Sequence, residues 1–214
     1  MTSAVLFDLD GTFADTAPDL GRAINIMRQS RGLTPVPLTA TRCVTSLGAC
    51  GLLDVGFGIT PAHDDYPAMR EEFLTIYENN LCCDTVLFPG MAELVDRLER
   101  RQIVWGIVTN KAERFALPLL QQLGYATRAA CIIGGDTTGH LKPHPAPLLA
   151  AAKIINMAAQ SCIYVGDDER DIQAGRAAGM RTVAVRFGYL NGSSPEQWAA
   201  DHIVSTPLEI EKLF

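Results

Sequence analysis

Five short apolar, β-branched runs, at residues 4–7, 103–109, 131–134, 162–165 and 182–186, constrain this chain more than any other feature. Helical patterns at 91–101, 113–123, 145–156 and 170–178 separate the later ones. Runs that are apolar at successive positions suit strands buried on both faces. A helix between two such strands returns the chain to the same sheet edge, so the strands pair in parallel. The expected fold is α/β, a parallel sheet with helices on both faces.

The alternation is interrupted once. From Thr16 to Cys83 the periodicity is helical, at 18–31, 39–57 and 62–80. Thr34-Pro35-Val36-Pro37 and Gly58-Ile59-Thr60-Pro61 break it, and no strand pattern of comparable strength occurs there. This predicts a small helical cap, residues 16–83, inserted after the first strand of a core made from 1–15 and 84–214. Near the end, Ile203-Val204 reads as a minor strand and 207–213 as a closing helix.

Composition narrows the partners. The chain has 214 residues, 48% apolar and 20% charged, enough for one good core plus a small accessory unit. No apolar run reaches the roughly 20 residues that cross a bilayer, so no membrane partner is expected. The first strand begins almost at Met1 and leaves no room for a secretory leader, which makes the cytoplasm the expected compartment. Cys43, Cys50, Cys82, Cys83, Cys131 and Cys162 form no CxxC pair and read as reduced thiols. A net charge of −6 argues against nucleic acid, whose binding rests on Lys and Arg neutralising phosphates. A small phosphorylated metabolite is compatible with it, because a bound cation masks several acids. A monomer or a homodimer is expected.

Ligand sites of open parallel sheets lie beyond the carboxyl ends of the strands. The first strand end carries Asp8, Asp10 and Thr12, and the second Thr109-Asn110-Lys111. Past the third, after Gly134-Gly135-Asp136, comes Lys142-Pro143. The fourth carries Gly166-Asp167-Asp168, with Asp171 one helical turn later. Two carboxylates one residue apart offer a nucleophile and a proton donor, which suits attack on a phosphate ester. Spacing alone leaves open which of Asp8 and Asp10 plays which part. Carboxylate attacking phosphate is repulsive, so positive charge must be supplied. A hard cation such as Mg²⁺ takes oxygen ligands. Asp8, Asp167 and the Asp10 carbonyl oxygen are the candidates, with Asp171 binding outer water or orienting the others. Lys142 would neutralise nucleophile and phosphoryl oxygens, and the Thr109 hydroxyl would hold the transferring group. Thr12 and Asn110 are expected to contact substrate.

Each of these segments alone would read as a strand cap, a turn or a solvated loop; the set carries the inference. A calcium loop is a poor alternative, because its sixth position needs Gly where this chain has Phe13. His63, His140, His144 and His202 lack zinc-site spacing.

Asp8-Leu9-Asp10-Gly11-Thr12, Thr109-Asn110, Lys142-Pro143 and Gly166-Asp167-Asp168-Glu169-Arg170-Asp171 resemble, in order, the four motifs of the haloacid dehalogenase superfamily. The resemblance spans essentially the whole chain. It implies a Rossmann-like core, a helical cap, Mg²⁺, Asp8 as the phosphorylated residue and Asp10 as acid and base. Val108-Thr109-Asn110-Lys111 and the segment Ile172-Gln173-Ala174-Gly175 are similar to the phosphoglycolate phosphatase branch. Leu87-Phe88-Pro89-Gly90-Met91, Trp105-Gly106-Ile107 and Ala184-Val185-Arg186-Phe187-Gly188-Tyr189 resemble one subgroup, the N-acetylmuramic acid 6-phosphate phosphatases. The favoured substrate is therefore N-acetylmuramic acid 6-phosphate, followed by 2-phosphoglycolate. A sugar-phosphate mutase comes next, and last a phospho-ligand-binding regulator, which would be expected to lose acids that are all present here.

Arg42, Ser46 and Gly48 lie where related caps meet the non-phosphate part of the substrate. The Arg42 guanidinium fork would match a carboxylate, which both favoured substrates carry. The chain departs from the wider pattern at Phe13, where Leu is usual, and at Asp168, where Ser or Thr is common.

Overall fold

A computed structural model describes residues 4–214 of the chain. Its strands are β1 (Ala4–Phe7), β2 (Ala14–Asp15), β3 (Val86–Leu87), β4 (Val104–Val108), β5 (Ile132–Ile133), β6 (Cys162–Gly166), β7 (Arg181–Val185) and β8 (His202–Val204). The α-helices are α1 (Ala17–Ser30), α2 (Leu38–Arg42), α3 (Gly48–Phe57), α4 (Tyr66–Asn79), α5 (Met91–Arg100), α6 (Glu113–Leu123), α7 (Ala146–Ile154) and α8 (Glu169–Ala177). Six strands form one sheet in the order β5-β4-β1-β6-β7-β8, and every pairing in it is parallel. Counted within the sheet, this is the Rossmann-like order 3-2-1-4-5-6. The chain builds outward on one side of β1 and then on the other, which leaves a crevice beyond the carboxyl ends of β1 and β6.

Side-chain alternation along β1 explains the two helical layers. Val5 and Phe7 enter an apolar cluster with Leu94, Val95 and Leu98 of α5 and Phe115 and Leu119 of α6. Ala4 and Leu6 point to the other face, where Leu148 and Ala151 of α7 and Ala174 of α8 close a second cluster. All four β1 residues are buried. Each Leu- or Val-sized side chain hidden this way contributes about 1.5–3 kcal/mol, so the central strand is held by apolar packing on both of its faces.

Helices α1 to α4 lie between β2 and β3. These two strands pair antiparallel, Ala14 opposite Leu87 and Asp15 opposite Val86, so the chain enters and leaves the helical segment through one short ribbon. Two-residue strands have no period to detect, and the sequence pattern does not reveal them. Asp19 reinforces the ribbon. Its buried carboxylate accepts hydrogen bonds from the Asp84 N–H (2.9 Å), the Thr85 N–H (3.0 Å) and the Thr85 hydroxyl (2.6 Å).

The helix expected over 39–57 is broken into three pieces: α2, a 3₁₀ turn at Thr45–Leu47, and α3. Gly48 has φ of +61°, a left-handed conformation that no continuous right-handed helix accommodates. The break turns residues 45–48 toward the crevice. The closing helix at Pro207–Leu213 is a 3₁₀ helix. Among the described residues no helix is long and apolar enough to cross a membrane.

Candidate active site

The crevice collects all four strand-end segments. Lys142, 134 residues away in sequence, donates to Asp8 Oδ1 at 2.7 Å. The same ammonium lies 2.7 Å from Asp171 Oδ1 and donates to the Tyr164 hydroxyl at 2.9 Å. Tyr164 in turn donates to the Val108 carbonyl at 2.7 Å. Lys142 is almost fully buried, and its position is pinned from behind by Asn110. The Asn110 amide donates to the Lys142 carbonyl (3.1 Å), and its carbonyl oxygen accepts from the Lys142 N–H (2.8 Å). Asn110 lines the cavity, but its polar atoms are spent on the loop that presents Lys142 and not held free for substrate.

Asp8, Asp167 and Asp171 offer carboxylate oxygens that all lie within 4.8 Å of one another. Asp171 also accepts from the Asp168 N–H, while Asp168 caps the start of α8 in return. Asp167 is 1% exposed and has no cationic partner among the described residues. Among the described residues its oxygens accept only the Thr12 hydroxyl (3.1 Å) and the Tyr189 N–H (2.8 Å). Thr12, expected at the substrate, is fully buried and orients Asp167 instead. The close packing is built in. A Cβ at Gly11 or Gly188 would collide with the Asp167 side chain, and one at Gly166 with Asp171.

Burial sets the charge state of this group. It pushes Asp8 up to about 7, against Lys142, which favours the ionised form, while Asp171 and Asp10 add to the rise. Burial likewise raises Asp167 well above the ordinary carboxylate range, with Asp8 and Asp171 reinforcing it. Three ionised carboxylates around one ammonium leave two net negative charges in a dry pocket, which is costly without a further cation. An all-oxygen donor set with that deficit fits a divalent metal ion.

Asp10 stands apart from this set. Its carboxylate accepts the Thr16 hydroxyl (2.6 Å) and the Lys111 ammonium (2.9 and 3.2 Å), so its side chain is directed to the cavity and not to the other acids. Lys111 sits over the Tyr77 ring at 4.7 Å. Burial works against its charge, but Asp10 and Tyr77 together more than offset that, holding its pKa above the ordinary value. Thr109 is buried on the cavity wall, and its hydroxyl accepts from the Lys111 N–H at 3.1 Å.

The expectations for the helical segment fare unevenly. Ser46 lines the cavity, whereas Arg42 does not. Arg42 pairs with Asp15 Oδ2 at 2.7 Å and stacks over Tyr189 at 5.6 Å. Its fork is already occupied by a carboxylate of the chain itself. Sequence reasoning assigned no role to Lys111 and Arg170, although both lie in segments it singled out, and it missed Thr16, Tyr164 and Arg70 as site residues. Tyr164 had a signal, a lone hydroxyl in the middle of an otherwise apolar run. Arg170 forks onto Asp168 (2.7 and 2.8 Å) and also donates to the Ser46 carbonyl at 2.8 Å, tying the helical segment to the sheet. Asp168, the residue that departs from the wider pattern, is thus the anchor of that tie.

The family model described as haloacid dehalogenase-like hydrolase matches residues 5–185. Over 211 residues the chain is 45% identical to an N-acetylmuramic acid 6-phosphate phosphatase of Pseudomonas putida, covering 98% of this chain and 95% of that protein. It is 48% identical over 211 residues to a phosphoglycolate phosphatase of Xanthomonas campestris, covering 97% of this chain and 94% of that one. A crystal structure of "a predicted phosphoglycolate phosphatase" from Haemophilus somnus superposes with a TM-score of 0.87 at 26% identity, over 99% of this chain and 97% of the other.

Proposed function

Because this chain belongs to the haloacid dehalogenase-like hydrolase family, in which its relatives are phosphatases, we propose that it cleaves N-acetylmuramic acid 6-phosphate through an aspartyl phosphate on Asp8. The observation that carries this reading is Lys142, whose ammonium joins Asp8 to Asp171 at the centre of a buried acidic set.

In the proposed reaction Asp8 Oδ attacks phosphorus and the ester oxygen leaves. Lys142 holds the nucleophile in place and offsets its charge, while Tyr164 and Asn110 fix Lys142. Asp10, aimed by Thr16 and Lys111, gives its proton to the leaving oxygen and then takes one from the water that cleaves the aspartyl phosphate. The Thr109 hydroxyl and neighbouring N–H groups steady the transferring oxygens. Mg²⁺, held by Asp8, Asp167 and Asp171 with the Asp10 carbonyl, would supply positive charge to the phosphoryl oxygens when bound. Residues 16–83 act as a cap on a core of 1–15 and 84–214, and Arg170 on the Ser46 carbonyl keeps it closed over the reaction.

The cavity supports the larger of the two substrates. Its volume of 360 Å³ lies in the range of roughly 300–1,000 Å³ usual for small-molecule sites. A hexosamine phosphate uses that space, whereas a two-carbon ester leaves much of it to water. The 48% identity to a phosphoglycolate phosphatase keeps 2-phosphoglycolate as the second reading. Phosphate release with Mg²⁺, measured as kcat/KM over both esters, pyrophosphate and common hexose phosphates, decides between them. Asp8→Asn is expected to lose more than about a thousandfold in kcat. Normal turnover in that variant removes the mechanism.

A further inference from the structure

We propose that Arg70 is the specificity-determining residue of this site, binding a carboxylate carried on the far side of the substrate from its phosphate. The inference rests on the phosphatase reading above and extends it to the other end of the cavity. Four cationic side chains line that cavity: Arg70, Lys111, Lys142 and Arg170. Three of them are committed to carboxylates of the site itself. Lys111 is held by Asp10, Lys142 by Asp8 and Asp171, and Arg170 by the two oxygens of Asp168. Arg70 is different. Its ion pair is with its sequence neighbour Glu71, and both side chains are largely exposed. A pair of that kind is worth at most about 1 kcal/mol and yields readily to a better-placed anion.

Position along α4 gives the distance argument. Tyr66, Arg70, Phe73, Leu74 and Tyr77 all line the cavity, as one face of a helix must at this spacing. Tyr77 marks the phosphoryl end, because its ring carries the Lys111 ammonium that holds Asp10. Arg70 lies seven residues earlier, about 10 Å along the helix axis. The carboxylate of 2-phosphoglycolate is too close to its own phosphate to span that interval. A hexosamine 6-phosphate with a lactyl ether across the ring carries its carboxylate at the opposite end. Between the two ends, Phe73 and Leu74 offer an apolar wall. Ser46, on the opposite wall, has a buried hydroxyl without a hydrogen-bond partner among the described residues. Arg42, the arginine that sequence position favours, is excluded by its bond to Asp15.

The test compares two substrates differing only in the lactyl ether that carries the acid: N-acetylmuramic acid 6-phosphate, which has it, and N-acetylglucosamine 6-phosphate, which has a free hydroxyl there. Discrimination is the ratio of their kcat/KM values. Arg70→Gln should reduce this ratio about 10- to 100-fold, the value of one hydrogen-bonded charge pair, chiefly through KM for the acid. Arg70→Lys should recover part of it, since an ammonium keeps the charge and loses the fork. Equal losses on both substrates, or an unchanged ratio, overturn the proposal. So does a wild-type enzyme that prefers 2-phosphoglycolate and keeps that preference in Arg70→Gln. If wild-type protein releases phosphate from no ester, the phosphatase reading itself fails, and Arg70 falls with it.

Discussion

Asp167 shows how a single buried group ties chemistry to stability. With a hydroxyl and one N–H as its partners, it is a carboxylate that the fold alone leaves short of positive charge. Its pKa and that of Asp8 are both raised in the folded chain, Asp8 to about 7. A group whose folded pKa exceeds its unfolded value contributes stability that is full below the unfolded pKa, near 4, and is lost as pH rises toward the folded pKa. The metal-free protein should therefore lose stability between about pH 4 and 7. A divalent cation competes with protons for the same oxygens, so its stabilising effect should grow over that interval. Thermal melts with Mg²⁺ and with EDTA at pH 5.5 and pH 8 should show the wider gap at pH 8, at roughly 2–4 °C per kcal/mol. Asp167→Asn should shrink the gap at both. A gap that is flat with pH would remove this account of the acidic cluster. Among the site residues, Asp8, Asp10 and Asp167 are legible in the sequence because their chemistry follows directly on strand ends, whereas Lys142, in the loop after β5, and Asp171, in the first turn of α8, are marked by the motifs they belong to. The roles of Thr12, Asn110 and Arg42 are not legible, since each hydroxyl, amide or guanidinium has several possible partners and only packing selects one.

At the level of elements, the ribbon of β2 and β3 and the carboxylate of Asp19 govern how the helical segment is attached. Asp19→Ala would leave two backbone N–H groups and a hydroxyl without their partner. At about 1 kcal/mol for each lost bond, the expected cost is roughly 3 kcal/mol, a fall in Tm of about 6–12 °C. Limited proteolysis should cut first between residues 83 and 87. Unchanged melting and no new cleavage there would show that the ribbon holds without Asp19. The helices α1, α4, α5, α6 and α8 fall close to their expected positions, because apolar spacing along a helix is a local property. The break at Gly48 is not marked by that spacing. Glycine is compatible with a helix, and only the backbone conformation demanded at the cavity edge fixes its φ at +61°.

Across the whole molecule, the helical segment and the sheet share one apolar interior. Leu20, Ile24, Leu53, Phe73 and Tyr77 belong to the same cluster as Val5, Phe7 and Phe115, and Tyr77 meets Phe115 at 5.6 Å between ring centres. Neither part can expose its side of that cluster cheaply, so calorimetry should record a single unfolding transition. Two resolved transitions would mean that residues 16–83 fold independently of the rest. By itself the amino-acid sequence determined the parallel sheet, the helical interruption after its first strand and the acidic strand ends, because hydrophobic period and strand-end placement are properties of neighbouring residues. Only the tertiary structure decided which cation meets which anion. Lys142 reaches Asp8 across 134 residues, Arg42 is turned to Asp15 and Arg70 is left facing the cavity. Such pairings depend on where distant segments are held in space, and a charge on a flexible side chain carries no record of its partner in the residues beside it.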